Sequence, residues 1–204
     1  MMFRMVTMAA VALAIAGTAA RAADPRYPDW PCTQAKVPDI SLAAVWAGPP
    51  VDDVQSKWKD DAKVSALVAK LSARKTPLDE AERSVKEFLA GSAADKTANA
   101  KLLFAGLFDT LNAQRSQVMS GLERVSRKQR EAADKIREEA VQLQALQSAT
   151  PRDEAKVEAL NNDLIWKTRI FEDRHKVVRF VCEVPTAIDQ RLFALGRVIQ
   201  QELE

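Results

Sequence analysis

Beyond residue 50, apolar residues recur at helical spacing along almost the whole chain. Over 51–74 they fall at Val54, Trp58, Val64, Leu67, Val68 and Leu71, the three- and four-residue steps of one helix face. Thr76-Pro77-Leu78-Asp79 then reads as a helix start, with threonine at N-cap, proline at N1 and an acid at N3. The helix that it opens, 76–90, aligns Leu78, Ala81, Val85, Phe88 and Leu89 and stops near Gly91-Ser92.

A single long helix is predicted over 94–148, and it carries heptads. With Phe108 at position a, that series continues through Arg115, Leu122, Gln129, Ile136 and Leu143. The d series is Phe104, Leu111, Val118, Val125, Ala132, Glu139 and Leu146. Ten of these thirteen are apolar, which makes a coiled-coil seam with polar breaks. At the helical rise the segment spans about 80 Å, more than the width of a compact domain of this size, so the molecule should be elongated.

Thr150-Pro151-Arg152-Asp153 repeats the start signal, and the match to the first copy dissolves after Thr-Pro-x-Asp-Glu-Ala. It reads as shared capping chemistry, not a duplicated domain. A return helix follows over 152–183, with Val157, Leu160, Leu164, Thr168, Phe171, His175, Val178 and Cys182 in one stripe. Pro185 breaks it. A last helix, 186–203, aligns Ile188, Leu192, Leu195, Ile199 and Leu203.

The pattern therefore predicts an all-α fold. A long antiparallel, coiled-coil-like hairpin turns at residue 150, and the two shorter helices, 51–74 and 76–90, pack at its base. Folding about residue 150 sets position 182 level with 118 and 203 level with 97. The base becomes a four-helix bundle, and roughly 121–179 projects as a two-helix rod of about 40 Å. Charges at i,i+4 spacing, such as Glu123/Arg127 and Glu131/Lys135, suit a solvated flank there.

Residues 23–50 differ in kind. They hold six of the nine prolines, the only tyrosine, Tyr27, and Trp30 and Trp46. Pro25, Pro28 and Pro31 recur every third residue, the period of a polyproline II helix. Such a segment can be a recognition motif for an aromatic groove or an extended strap on its own domain. Cys32 inside it favours the strap.

The first 22 residues read as a cleaved signal peptide. Met1 to Arg4 is a basic start, Met5 to Gly17 an uncharged apolar run, and Ala20-Arg21-Ala22 the small-x-small pattern before cleavage. The apolar run falls short of the roughly 20 residues that span a bilayer. The expected address is the periplasm, with secretion as second choice. Cleavage removes Arg4, Arg21 and no acid, so the formal net charge falls from +2 to zero. A neutral mature chain lacks the basic footprint of a nucleic-acid binder. Its remaining residues suffice for one domain with a core.

In an oxidising compartment Cys32 and Cys182 are expected to pair, the alternatives being buried thiols or a reactive one. Closing so long a loop stabilises a fold by about 5 kcal/mol in the chain-entropy model. Two distant cysteines and one histidine make no zinc site, and no metal or cofactor is predicted. His175, the only histidine, shares a stripe with Phe171, Val178 and Cys182 and is expected to face inward. It reads as a seam residue, or as a pH-sensitive group or ligand. Met119 lies near its level and is the conceivable axial partner in a haem-like site. No Cys-x-x-Cys-His, Gly-x-Ser-x-Gly, glycine-rich phosphate loop or His-Glu-x-x-His occurs, so no enzyme is predicted.

Ile165, Trp166 and Ile170 lie off the Leu164/Phe171 seam of the projecting hairpin. Exposed, they would mark a partner-binding surface; otherwise they cover the hairpin flank. Length, export signal and hairpin are similar to those of small periplasmic chaperones, but their Leu-Thr-x-x-Gln signature is absent and nothing is carried over from them. The sequence thus predicts a non-enzymatic interaction module, adaptor or chaperone-like, binding an envelope protein or itself. The alternative is a bundle holding an apolar or metal-containing small molecule near Phe104, Phe108, His175 and Phe193.

Overall fold

The computed structural model describes residues 24–91 and 94–204; the expected signal peptide, 1–22, lies outside them. The elements are α1 (Leu42–Val45), a 3-10 turn at Lys57–Lys59, α2 (Ala62–Ser72), α3 (Leu78–Ala90), α4 (Lys96–Ser148), α5 (Glu154–Val181) and α6 (Val184–Gln201). Among the described residues there is no strand, and no helix is long and apolar enough to cross a membrane.

The fold is the expected hairpin on a helical base. In the base, α2, α3 and α6 surround the first third of α4. Leu103, Phe104, Leu107 and Leu111 of α4 are fully buried against Val64, Val68 and Leu71 of α2 and Leu192, Leu195 and Ile199 of α6. Trp46 stacks on Phe104 with ring centroids 4.1 Å apart. Two glycines permit this density. A methyl on Gly106 would sit 2.6 Å from Val68 Cγ2, and one on Gly196 would sit 2.8 Å from the Val45 carbonyl oxygen. Arg191 of α6 donates from Nε to Leu71 O (2.6 Å) and from Nη2 to Thr76 O (2.9 Å), closing the end of α2.

Three local expectations give way. The helix expected from residue 51 begins only at Ala62, where Asp61 accepts hydrogen bonds from Lys63 N and Val64 N. Before it, successive three-residue turns link Val54 N to Val51 O, Lys57 N to Val54 O and Asp60 N to Lys57 O. Steps of three mimic a helical stripe, and Val51 and Trp58 are buried on the same core. Nor does either Thr-Pro pair cap a helix with threonine. Thr76 donates its hydroxyl to Lys70 O (2.9 Å), and α5 is capped by Asp153. The prolines of the strap, finally, form no polyproline II helix. Pro25 and Pro28 each take the second position of a β-turn, closed by Tyr27 N to Asp24 O and Trp30 N to Tyr27 O. Farther along, the strap includes the helical turn α1.

The strap runs antiparallel to α4. Asp29 pairs with Arg127 and Arg130, Lys36 with Glu123, the Pro38 carbonyl with Arg115 and, just past the strap, Asp53 with Lys101. It reaches well up the rod, so the hairpin near 121–130 is covered on one side where a bare two-helix rod was expected.

Candidate functional site

Two polar contacts cross the upper hairpin among the described residues. Gln129 Nε2 donates to Phe171 O (3.1 Å), and Lys167 Nζ reaches Glu139 Oε1 (2.5 Å) and Asp163 Oδ2 (2.6 Å). Asp163 and, next, Glu139 hold the Lys167 ammonium above its ordinary range. Of the described residues of α5 only Val157 and Leu164 are buried.

On this rod Trp166 is 60% exposed and Ile165 61%, while Ile170 is half-buried. The three are not one patch: successive positions on a helix point 100° apart, so Ile165 and Trp166 diverge, and Trp166 shares a side with Ile170, one turn on. Cys32 and Cys182 form a disulfide with Cα atoms 5.6 Å apart, which pins the strap to the end of α5. Gln34 Nε2 donates to the Cys182 carbonyl beside it.

His175 is exposed, contrary to the inward position expected. The stripe on α5 has two rows. Val157, Leu164, Phe171 and Val178, seven residues apart, face α4, whereas Thr168, His175 and Cys182 form a row displaced by one turn. Two helices cannot cover both rows. Cys182 is buried because the strap is bonded to it, and His175 has no such cover. Met119 does not turn toward it: its sulfur lies 3.0 Å from Arg115 Nη1 in the base. The small-molecule set is likewise dispersed. Trp46 fills the space beside Phe104, His175 stands out on the rod, and Phe193 is half-exposed on α6 under Arg197. Among the described residues no three histidines, cysteines or carboxylates gather as metal ligands.

A feature that periodicity did not single out is a groove along one flank of the hairpin. Its wider stretch, about 710 Å³, has a floor that includes Val118, Leu122, Val125, Val177, Val178 and Val181. A narrower one of about 230 Å³ continues it past Ala132, Ile136, Ile170 and Phe171. Val177 is 59% exposed and Phe180, nearby on α5, 74%. The sequence signal was a surplus: Val177, Val178, Phe180 and Val181 are four apolar residues in five, and a two-helix seam uses about one.

The groove's rim is basic. Arg124, Lys128 and Arg174 line the wider stretch and Lys135, Lys167 and Arg174 the narrower, with no aspartate or glutamate in either lining. Neighbouring Arg127, Arg130, Arg137 and Lys167 are ion-paired. Among the described residues, Arg124, Lys128, Lys135 and Arg174 form no such pair. The arrangement offers apolar contact and positive charge. Compared with known proteins, the chain matches no family model, no curated protein and no solved structure.

Proposed function

We propose that this protein is an exported, non-enzymatic helical interaction module that engages an envelope partner through its projecting hairpin. The observation that carries the reading is Trp166, a residue type enriched at binding hot spots, left 60% exposed on a two-helix rod. Ile165, Ile170, Val177 and Phe180 add apolar surface on the same rod, and exposed apolar surface of this kind marks contact sites. The base and the disulfide act as the mount. Export rests on the sequence of residues 1–22 and is compatible with a disulfide at Cys32–Cys182.

Photocrosslinking from position 166 in the native host, with mass spectrometry of the adducts, tests this. One dominant adduct, lost when the probe is moved to exposed Glu138, supports an adaptor; many adducts support a chaperone-like role. No adduct from 166, together with unchanged partner binding by Trp166→Ala, would overturn the reading.

A further inference from the structure

We infer that the groove between α4 and α5 is the seat of an acidic amphipathic helix of a partner protein, which docks as the third helix of a local bundle. The inference rests on the reading of the hairpin as a partner-binding rod and names the chemistry that it recognises. Length comes first. The two stretches together run along α4 from Val118 to Ile136, about 27 Å at the helical rise, which suits a helix of about five turns.

Shape agrees. The α4 wall sets small side chains, Val118, Gly121, Val125 and Ala132, among the larger Leu122 and Ile136, and small residues let a third helix approach closely. Gly121 shows that the place is vacant: a methyl there would meet nothing nearer than Arg124 Nη2 at 3.8 Å. Elsewhere on α4, at Gly106, the same methyl collides with packed neighbours.

Charge then selects the occupant. Four cations without ion-pair partners, Arg124, Lys128, Lys135 and Arg174, flank the apolar floor, and no acid lines it. A helix with an apolar stripe bordered by glutamate or aspartate meets both demands. A second copy does not, because a two-fold contact through this groove would set basic rim against basic rim. A flat anionic bilayer would touch the rims and leave the concave floor uncovered.

Three 18-residue helical peptides with the same leucine stripe test the proposal, their bordering positions being all glutamate, all glutamine or all lysine. Binding to the full protein is read by fluorescence anisotropy at low salt. The glutamate peptide should bind about tenfold more tightly than the glutamine peptide, and the lysine peptide most weakly. Arg124→Glu/Lys128→Glu/Arg174→Glu should reverse that order with an unchanged circular-dichroism melt. Gly121→Leu, which fills the vacancy, should abolish binding of all three. Equal affinity whatever the borders, no binding by any peptide, or binding to phosphatidylglycerol vesicles that the triple variant abolishes would each overturn the proposal. The two readings fail separately. A partner captured from position 166 and still bound by the triple variant keeps the module and removes the groove.

Discussion

Arg115 Nε stands 2.8 Å from Asp189 Oδ1, an ion pair that joins α4 to α6 although the two atoms are not aligned as a hydrogen bond. The arginine is 4% exposed and also donates to the strap through Pro38 O (3.1 Å). One side chain at a nominal seam position thus ties three segments together. Burial raises the Asp189 carboxyl above its ordinary range, and Arg115 opposes that rise. Arg115→Met should cost about 2 kcal/mol at pH 7, below the usual figure for breaking a buried pair because Asp189 is partly open to water. In the variant the Asp189 pKa climbs further above its unfolded value, so the destabilisation should grow as pH rises through the raised folded value and shrink toward pH 4. Urea unfolding of both proteins at the two pH values measures it; an equal loss at both would contradict this account.

Removing the disulfide should release the strap before the bundle. Cys32→Ser/Cys182→Ser is expected to lower stability by about 2–5 kcal/mol. Hydrogen exchange should rise first over residues 24–38, which are otherwise held to the rod by ion pairs and single hydrogen bonds. Uniform loss of protection across α2, α3 and α6 at the same rate would show that the strap is integral to the base.

Two glycines of α4 should respond to alanine with opposite signs. At Gly121 the side-chain position is open, so Gly121→Ala should stabilise by up to about 1 kcal/mol through helix propensity. Gly106→Ala meets Val68 and the Trp58 ring and should destabilise by about 1–3 kcal/mol despite the same propensity gain. Thermal melts of the pair decide it.

The upper strap should come off the rod in acid. Arg127 and then Arg130 hold the Asp29 carboxyl below its ordinary range. A depressed carboxylate contributes stability that is present above its unfolded pKa and lost as pH falls through the lower folded value. Emission from Trp30, next to Asp29, should therefore change only below the usual carboxylate range, and Asp29→Asn should show the acid-form emission at neutral pH. A transition near neutrality would point to a different group.

Loss of binding must be separable from loss of fold. Trp166→Ala should alter stability by no more than about 0.5 kcal/mol, as expected of an exposed side chain. Its buried neighbour Leu164 should cost about 2 kcal/mol or more on replacement by alanine. If Trp166→Ala destabilised as much as Leu164→Ala, Trp166 would be packing.

Much of this architecture was legible from spacing. The heptads from Phe104 to Leu146 and the short link at 150 give the hairpin and its register, and Gln129 against Phe171 matches a fold about residue 150. What escaped has physical causes. Steps of three at Val51, Val54 and Lys57 satisfy a helical template although the backbone makes separate turns. His175 obeys the stripe, yet a two-helix rod buries one row and leaves the next to whatever else lies there. Arg115 looked like a polar break because its partners, Pro38 and Asp189, are distant in sequence. Of the site, Trp166 was visible as an off-seam residue. The groove was not, since it exists only where α4 and α5 leave a flank unfilled.

The antiparallel course of the strap also dictates an order of assembly. Cys32 is synthesised 150 residues before Cys182, and its docking surface, Glu123 to Arg130, is itself absent until α4 is made. When the two sulfurs can first meet, α6 is the only described helix still to come. A chain emerging in sequence order therefore carries the strap with an unpaired thiol until α5 is complete, and the last described helix closes a body braced by its most N-terminal described segment.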